Sequence, residues 1–195
     1  MTRALVTPPA IPSGSLSGSP QPVLPAAQGL LLRPWGPADA PAFLAAYADG
    51  EIRRWHTRRH PRDEADVREW FDAYRQDWER EKAAHWAVAR DDGEVLGRIA
   101  LLGFNCYDGV AGVAYWVLPV ARGAGVATSA LTALSVWALE EAGFHRLELG
   151  HSTRNHASCR VAAKSGYLLE GTKRSAAVHD DGRHDMHLHA RTREA

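Results

Sequence analysis

The chain has 195 residues, 45% of them apolar and 24% charged, with 23 basic and 23 acidic side chains that leave no formal net charge. That length supplies one sizeable core, the charge balance disfavours a polyanionic partner such as nucleic acid, and no apolar run is long enough to span a bilayer. Two cysteines, Cys106 and Cys159, are too few for a disulfide framework and suit a reducing, cytoplasmic setting.

Residues 1–28 carry six prolines, four serines and two glycines, and Arg3 is their only charged side chain. Such a segment has little apolar surface with which to order itself, so a disordered tail is expected, followed by one folded domain over 29–195. Pro8, Pro9 and Pro12 among others interrupt any signal-peptide core. Leu30 to Arg33 reads as a first strand, and Gly36-Pro37 opens a helix through Phe43, Leu44 and Tyr47. A second helical segment includes Ile52 and Trp55. Pro61 begins a long amphipathic helix with Val67, Trp70, Phe71, Tyr74 and Trp78 at helical spacing, a stripe that reads as core.

Trp86 to Ala89 and Glu94 to Phe104 flank an Asp91-Asp92-Gly93 turn, which is a hairpin signal. Val113 to Leu118 is the next strand, Val126 to Ala142 a helix, Arg146 to Gly150 a strand and Asn155 to Ser165 a helix. Tyr167 to Glu170 and His184 to Ala190 close the sheet. Strands first, then strand and helix in alternation, predict a mixed α/β domain with helices over a central sheet.

The most informative stretch is Tyr115 to Thr128, YWVLPVARGAGVAT. A strand feeding glycines at a helix start lets backbone N–H groups converge on an anion, and the helix dipole reinforces them. Arg122 adds a planar cation suited to phosphate. A Walker loop would need a lysine and a Ser/Thr after the last glycine, whereas Val126-Ala127 follow Gly125. A dinucleotide fingerprint would need glycine or alanine where Thr128 stands. Downstream come Asn155-His156-Ala157-Ser158 and then Lys164-Ser165-Gly166-Tyr167-Leu168-Leu169-Glu170-Gly171. Asparagine and glycine at those places also read as helix caps.

In this order, YWV-x-P-x-x-RGxGVAT, N-x-x-S and KSGY-x-x-EG resemble the GNAT N-acetyltransferase superfamily, in its ribosomal-protein N-terminal acetyltransferase-like branch. The resemblance spans roughly residues 30–190 and is specific from 113 to 171. It implies a splayed central sheet with helices on both faces and acetyl-CoA as acyl donor, its pantetheine lying between the strands at 113–118 and 146–150. It also assigns pyrophosphate contacts to Arg122, Gly123, Ala124, Gly125, Val126, Ala127 and Thr128. Asn155 would bond the pantetheine arm, and backbone N–H near Val117 would face the thioester carbonyl. Ser158 would donate to the departing thiolate; the tyrosine that many members use for this is replaced here by Ala162.

The branch's glutamate base has no counterpart, because Ala177 stands there. His179 and His151 are the candidate substitutes, with Glu170 behind them. An α-amine is roughly a quarter neutral at pH 7.5, whereas lysine is about 0.1% neutral, so a site without a carboxylate base favours α-amines. The expected reaction is acetyl transfer to a primary amine, most readily a protein or peptide N-terminus. The alternatives are a small amine metabolite or antibiotic as acceptor, and a non-catalytic acyl-CoA-binding module. His179, His184, His187 and His189 crowd the C-terminal segment, and His187 and His189 alternate onto one strand face, but no cysteine joins them and their spacing matches no standard ligand set, so no metal is expected. The acceptor pocket is expected from the helices at 37–83 and the loops at 105–110 and 172–183. The family resemblance is compatible with a homodimer, and neither a membrane nor a nucleic-acid partner is expected.

Overall fold

The computed structural model describes residues 7–56 and 59–194. Eight strands form one sheet: β1 (Leu24–Ala26), β2 (Leu30–Pro34), β3 (Ala83–Arg90), β4 (Val95–Asn105), β5 (Val110–Val117), β6 (Arg146–Ser152), β7 (Leu168–His179) and β8 (Gly182–Thr192). Their order across the sheet is β1-β2-β3-β4-β5-β6-β8-β7. Neighbours are antiparallel except β5 and β6, which run parallel and pair only between residues 110–112 and 146–148. Beyond that short ladder the two strands part, and the splay opens toward the C-terminal ends of both.

Among the described residues five α-helices clothe the sheet: α1 (Ala40–Ala46), α2 (Gly50–Trp55), α3 (Glu64–Glu79), α4 (Val126–Val136) and α5 (His156–Lys164). Strand alternation assigns the two faces. One face buries Leu32, Trp86, Val88, Ile99 and Leu101 against Leu131 and Leu134 of α4. The other packs Trp116 against Phe43 of α1 and the Val67–Phe71 stripe of α3. The α3 stripe is core, as its periodicity predicts, and Asp63 caps that helix by accepting from the Asp66 N–H at 2.8 Å. The Val126–Ala142 helix is α-helical only to Val136; a wider π turn, Trp137–Glu141, completes it and seats Trp137 against Trp78 and Trp86. The last two strands are longer than their apolar content suggests, because they form an extended hairpin whose β7 side is largely exposed.

The expected tail is the main correction. Its first six residues lie outside the described chain, but residues 7–28 are packed, not free. Ile11 and Leu16 are buried in the main core. Ala10 and Ile11 donate backbone hydrogen bonds to Tyr107 and Cys106, and Leu24–Ala26 joins the sheet beside β2. Two core tryptophans hold the segment as well: Trp78 Nε1 donates to the Ser19 carbonyl at 3.0 Å and Trp86 Nε1 to that of Pro22 at 2.8 Å. Prolines do not oppose this, since the segment is a strap whose polar groups are satisfied by the domain beneath it.

Glu81 is the strap's anchor. Its carboxylate accepts backbone N–H groups of Gly14, Leu16 and Ser17 at 2.9–3.0 Å. Burial pushes this carboxyl up, yet the converging donors win and hold it below the ordinary glutamate range. Glu81→Ala removes three charge-assisted bonds at once, so thermal denaturation is expected to show a loss of about 2 kcal/mol, or roughly 4–8 °C. Limited proteolysis of the same variant should cut first within residues 13–19. Unchanged melting and cleavage would refute the anchor.

Candidate active site

The splay between β5 and β6 becomes a cleft of about 640 Å³. Its floor is the end of β5. Leu118 N–H donates to the Leu96 carbonyl, so in the antiparallel β4–β5 register residues 118 and 116 face β4 while 115 and 117 face away. The Tyr115 carbonyl and the Val117 N–H therefore point into the gap that β6 has vacated. The former is engaged at 3.1 Å by Nε2 of His56, just past α2.

One wall is the loop from Arg122 to Gly125 and the first turn of α4. Gly123 and Gly125 both adopt left-handed backbone, φ +78° and +80°, which glycine alone adopts without strain. Gly125 occupies the cap position of α4 without any side-chain cap. As a result the backbone N–H groups from Gly123 to Thr128 find no acceptor among the described residues, and they converge at the positive end of the α4 dipole. Such an arrangement is suited to an anion, and the Gly-rich motif generates it.

The opposite wall is the N-terminal turn of α5. Asn155 caps this helix, its Oδ1 accepting from the Ser158 N–H at 3.0 Å, which leaves its Nδ2 to the cleft. Ser158 is almost buried. Its Oγ lies 2.8 Å from the Tyr115 hydroxyl, which reaches across the splay from β5. Burial pushes the Tyr115 phenol up to about 12, so it is a neutral hydrogen-bond donor at any physiological pH. Tyr115 was missed as a functional candidate because it opens the motif as a strand residue. The signal was its alternation with Trp116, which sends the two rings to opposite faces.

Not every predicted participant reaches this cleft. Arg122 lines it but is not a free cation: its guanidinium pairs with Asp49 at 2.5 Å, and Asp49 also caps α2. Arg160 and Lys164, one turn apart on α5, line the cleft with no carboxylate within ion-pair reach among the described residues. His151 is buried between β6 and β8, its Nδ1 donating to the Ser152 carbonyl at 2.8 Å, and it does not line the cleft. His179 sits at the β7–β8 tip, its Nδ1 held at 3.1 Å by the Arg54 carbonyl, and it does not line the cleft either. Glu170 is engaged by Arg146. The carboxylate that does line the cleft, alone among the described residues, is Glu51 of α2. The loop at 105–110 is at the far end of β5, under the strap, whereas the β7–β8 tip does approach α2: Asp181 bridges Arg54 and Arg154 at 3.6 and 3.0 Å.

A family model described as an acetyltransferase (GNAT) domain matches residues 29–168. The Bacillus subtilis (strain 168) protein YdaF, named provisionally as a ribosomal N-acetyltransferase, is 28% identical over 122 residues, covering 59% of this chain and 67% of its own. Among solved structures, RimL, a ribosomal L7/L12 α-N-protein acetyltransferase in complex with coenzyme A, superposes with a TM-score of 0.78 at 18% identity, covering 88% of this chain and 98% of that one. RimJ of Mycobacterium smegmatis, solved with a CoA disulfide, gives 0.79 at 23% identity over 88% and 86%. At such identities the structural likeness speaks for the fold.

Proposed function

Because the chain belongs to the acetyltransferase (GNAT) domain family, we propose that it moves an acetyl group from acetyl-CoA to the α-amine at a protein or peptide N-terminus. The observation that carries the reading is the pairing, across one cleft, of an uncapped helix start with a Ser158–Tyr115 hydroxyl pair. The N–H groups from Gly123 to Thr128, with Arg160 and Lys164 beside them, suit the phosphates of CoA. Asn155 Nδ2 and the outward edge of β5 suit the amides of its pantetheine arm. Acetyl-CoA supplies an activated thioester, whose carbonyl carbon is attacked by the neutral amine.

The chain's own residues then have separable tasks. The Val117 N–H steadies the oxygen on which negative charge grows. Ser158, with Tyr115 behind it and the α5 dipole beneath, donates to the sulfur as the C–S bond breaks. Glu51 takes the proton that the amine sheds as the C–N bond forms, replacing His151 and His179 in that role. The related proteins named for ribosomal N-acetyltransfer, with the α-amine's low proton-removal cost, favour a terminal amine over lysine. Two free cysteines suit a cytoplasmic setting, and among the described residues no helix is long and apolar enough to cross a membrane.

Thiol release from acetyl-CoA, measured on peptides with a free α-amine, N-blocked lysine peptides and small amines, tests the assignment. Turnover is expected on the free α-amine peptides and roughly tenfold or more slower on lysine, with Glu51→Gln reducing the α-amine rate at least tenfold. Turnover confined to small amines would replace the acceptor class. Acetyl-CoA binding with no turnover on any amine would leave a binding module in place of an enzyme.

A further inference from the structure

Behind α5, on the side away from the cleft, four side chains from three elements meet. His151 of β6 lies opposite His187 of β8 in register, and His189 follows two residues later on the same face. Cys159 of α5 comes down onto them, its Sγ 3.8 Å from Nε2 of His189. The ring centroids are 5.1–5.9 Å apart, and one ligand-capable atom from each of the four residues lies within 4.8 Å of all the others.

Hydrogen bonding marks this cluster as unfinished. His151 Nε2, His187 Nδ1 and His189 Nδ1 are buried without a partner among the described residues. Three such atoms in one place are rare in a folded protein, since each costs desolvation with nothing gained. No carboxylate belongs to the group. His151 is also oriented as metal-binding histidines are: Nδ1–H is committed to the Ser152 carbonyl, which fixes the lone pair on Nε2, toward the cluster.

We propose that His151, Cys159, His187 and His189 bind one zinc ion. The set is three imidazoles and one thiolate, a soft and borderline mixture that suits tetrahedral Zn²⁺ better than Mg²⁺ or Ca²⁺. Tetrahedral bonds of about 2.0–2.3 Å place ligand atoms about 3.3–3.6 Å apart, so the present spacings close by small side-chain rotations. On binding, the Cys159 thiol releases its proton to solvent and the imidazoles give lone pairs while remaining neutral. Four protein ligands fill the coordination sphere, so the ion is structural and pins α5 to β6 and β8. The sequence places only His187 and His189 on one strand face; the cysteine is a helix residue, and His151 joins them only through the β6–β8 register.

The test uses the full-length protein, stripped with chelator and titrated with Co²⁺ as a spectroscopic stand-in and with Zn²⁺ itself. One equivalent of Co²⁺ should give the intense visible bands of a tetrahedral site and a thiolate charge-transfer band, both bleached by equimolar Zn²⁺. Cys159→Ser should abolish the charge-transfer band and weaken Zn²⁺ at least 100-fold, while Cys106→Ser should leave both unchanged. Zinc at 100 times its dissociation constant should raise the melting temperature by about 5–10 °C. A weak octahedral Co²⁺ spectrum on the folded wild-type chain, or tight Zn²⁺ binding that persists in both Cys159→Ser and His187→Ala, would overturn the proposal. A Cu⁺ complex that equimolar Zn²⁺ does not displace would overturn the choice of metal.

Discussion

Ser158→Ala is expected to lower kcat for thiol release by about 10²–10³-fold while moving the KM for acetyl-CoA by less than about threefold. The serine sits within a pre-set circuit. Its N–H is held by Asn155, its Oγ lies against the Tyr115 hydroxyl, and it stands at the positive end of α5. With Tyr115 raised to about 12 and neutral, its O–H is able to donate to Ser158 Oγ, and in that arrangement the serine proton is turned toward the leaving sulfur. The backbone donors proposed for the phosphates of CoA are untouched by the substitution, hence the small expected effect on KM. Tyr115→Phe removes only the orienting partner, so a loss of roughly tenfold is expected, and the double variant should be little worse than Ser158→Ala alone. Stopped-flow thiol release separates chemistry from product departure. If Ser158→Ala keeps a third or more of wild-type kcat, the serine is only a first-turn residue of α5. If Tyr115→Phe is the more damaging change, the proton path runs in the opposite direction, through tyrosine to sulfur.

The second large effect is on stability below neutral pH. His56 and His85 are both held neutral by the fold. Burial lowers His56 to about 4, with the Arg98 cation adding to it and His60 contributing a little, while the bond to the Tyr115 carbonyl opposes them. Burial lowers His85 to about 2, again with Arg98 beside it. Arg98 donates to His85 Nδ1 at 2.9 Å, so that nitrogen must keep its lone pair. The Asp77 carboxylate, 3.6 Å from Nε2, and the stacked Tyr74 ring do not reverse this.

A histidine near 6.5 when unfolded and depressed when folded takes up its proton preferentially on unfolding. The stability it supports is complete above pH 6.5 and is lost as pH falls toward the folded value. At pH 5 each contributes a loss of about 2 kcal/mol, together about 4 kcal/mol and roughly 8–16 °C of melting temperature relative to pH 8. Calorimetry between pH 8 and 5 measures it, and His85→Gln should flatten the slope by about half. A melting temperature constant across that range, or imidazole resonances of His56 titrating near 6.5, would show that the fold does not hold these rings neutral.

What the sequence disclosed and what it withheld divide along chain distance. The uncapped start of α4 was legible because Arg122 to Thr128 is contiguous, and its two left-handed glycines set the backbone N–H groups there in one direction. Asn155 and Ser158 were readable as a short motif for the same reason, and the Val67–Trp78 stripe as a period. Hidden were pairings set by topology: Tyr115 with Ser158 across the splay, Glu51 at the mouth, and the histidine–cysteine cluster. The tail was misjudged because composition measures what a segment buries by itself. Residues 7–28 bury Ile11 and Leu16 into a core made elsewhere and lend their backbone to Glu81, Trp78 and Trp86. The 105–110 loop was misassigned because strand direction decides which end of β5 meets a ligand.

The strap also sets an order of events during synthesis. Residues 10–24 leave the ribosome well before their partners, since Glu81, His85 and Tyr107 are translated roughly 60 to 100 residues later. For that interval the proline-rich segment must remain soluble and uncommitted, which its near absence of charge and its few apolar side chains allow without premature collapse. It can settle only once the residues beneath it have been made, so a segment translated before most of the core takes its place after it. A nascent chain halted before Glu81 emerges should therefore leave the segment as open to protease as a linker, and one released past Phe144 should seal it.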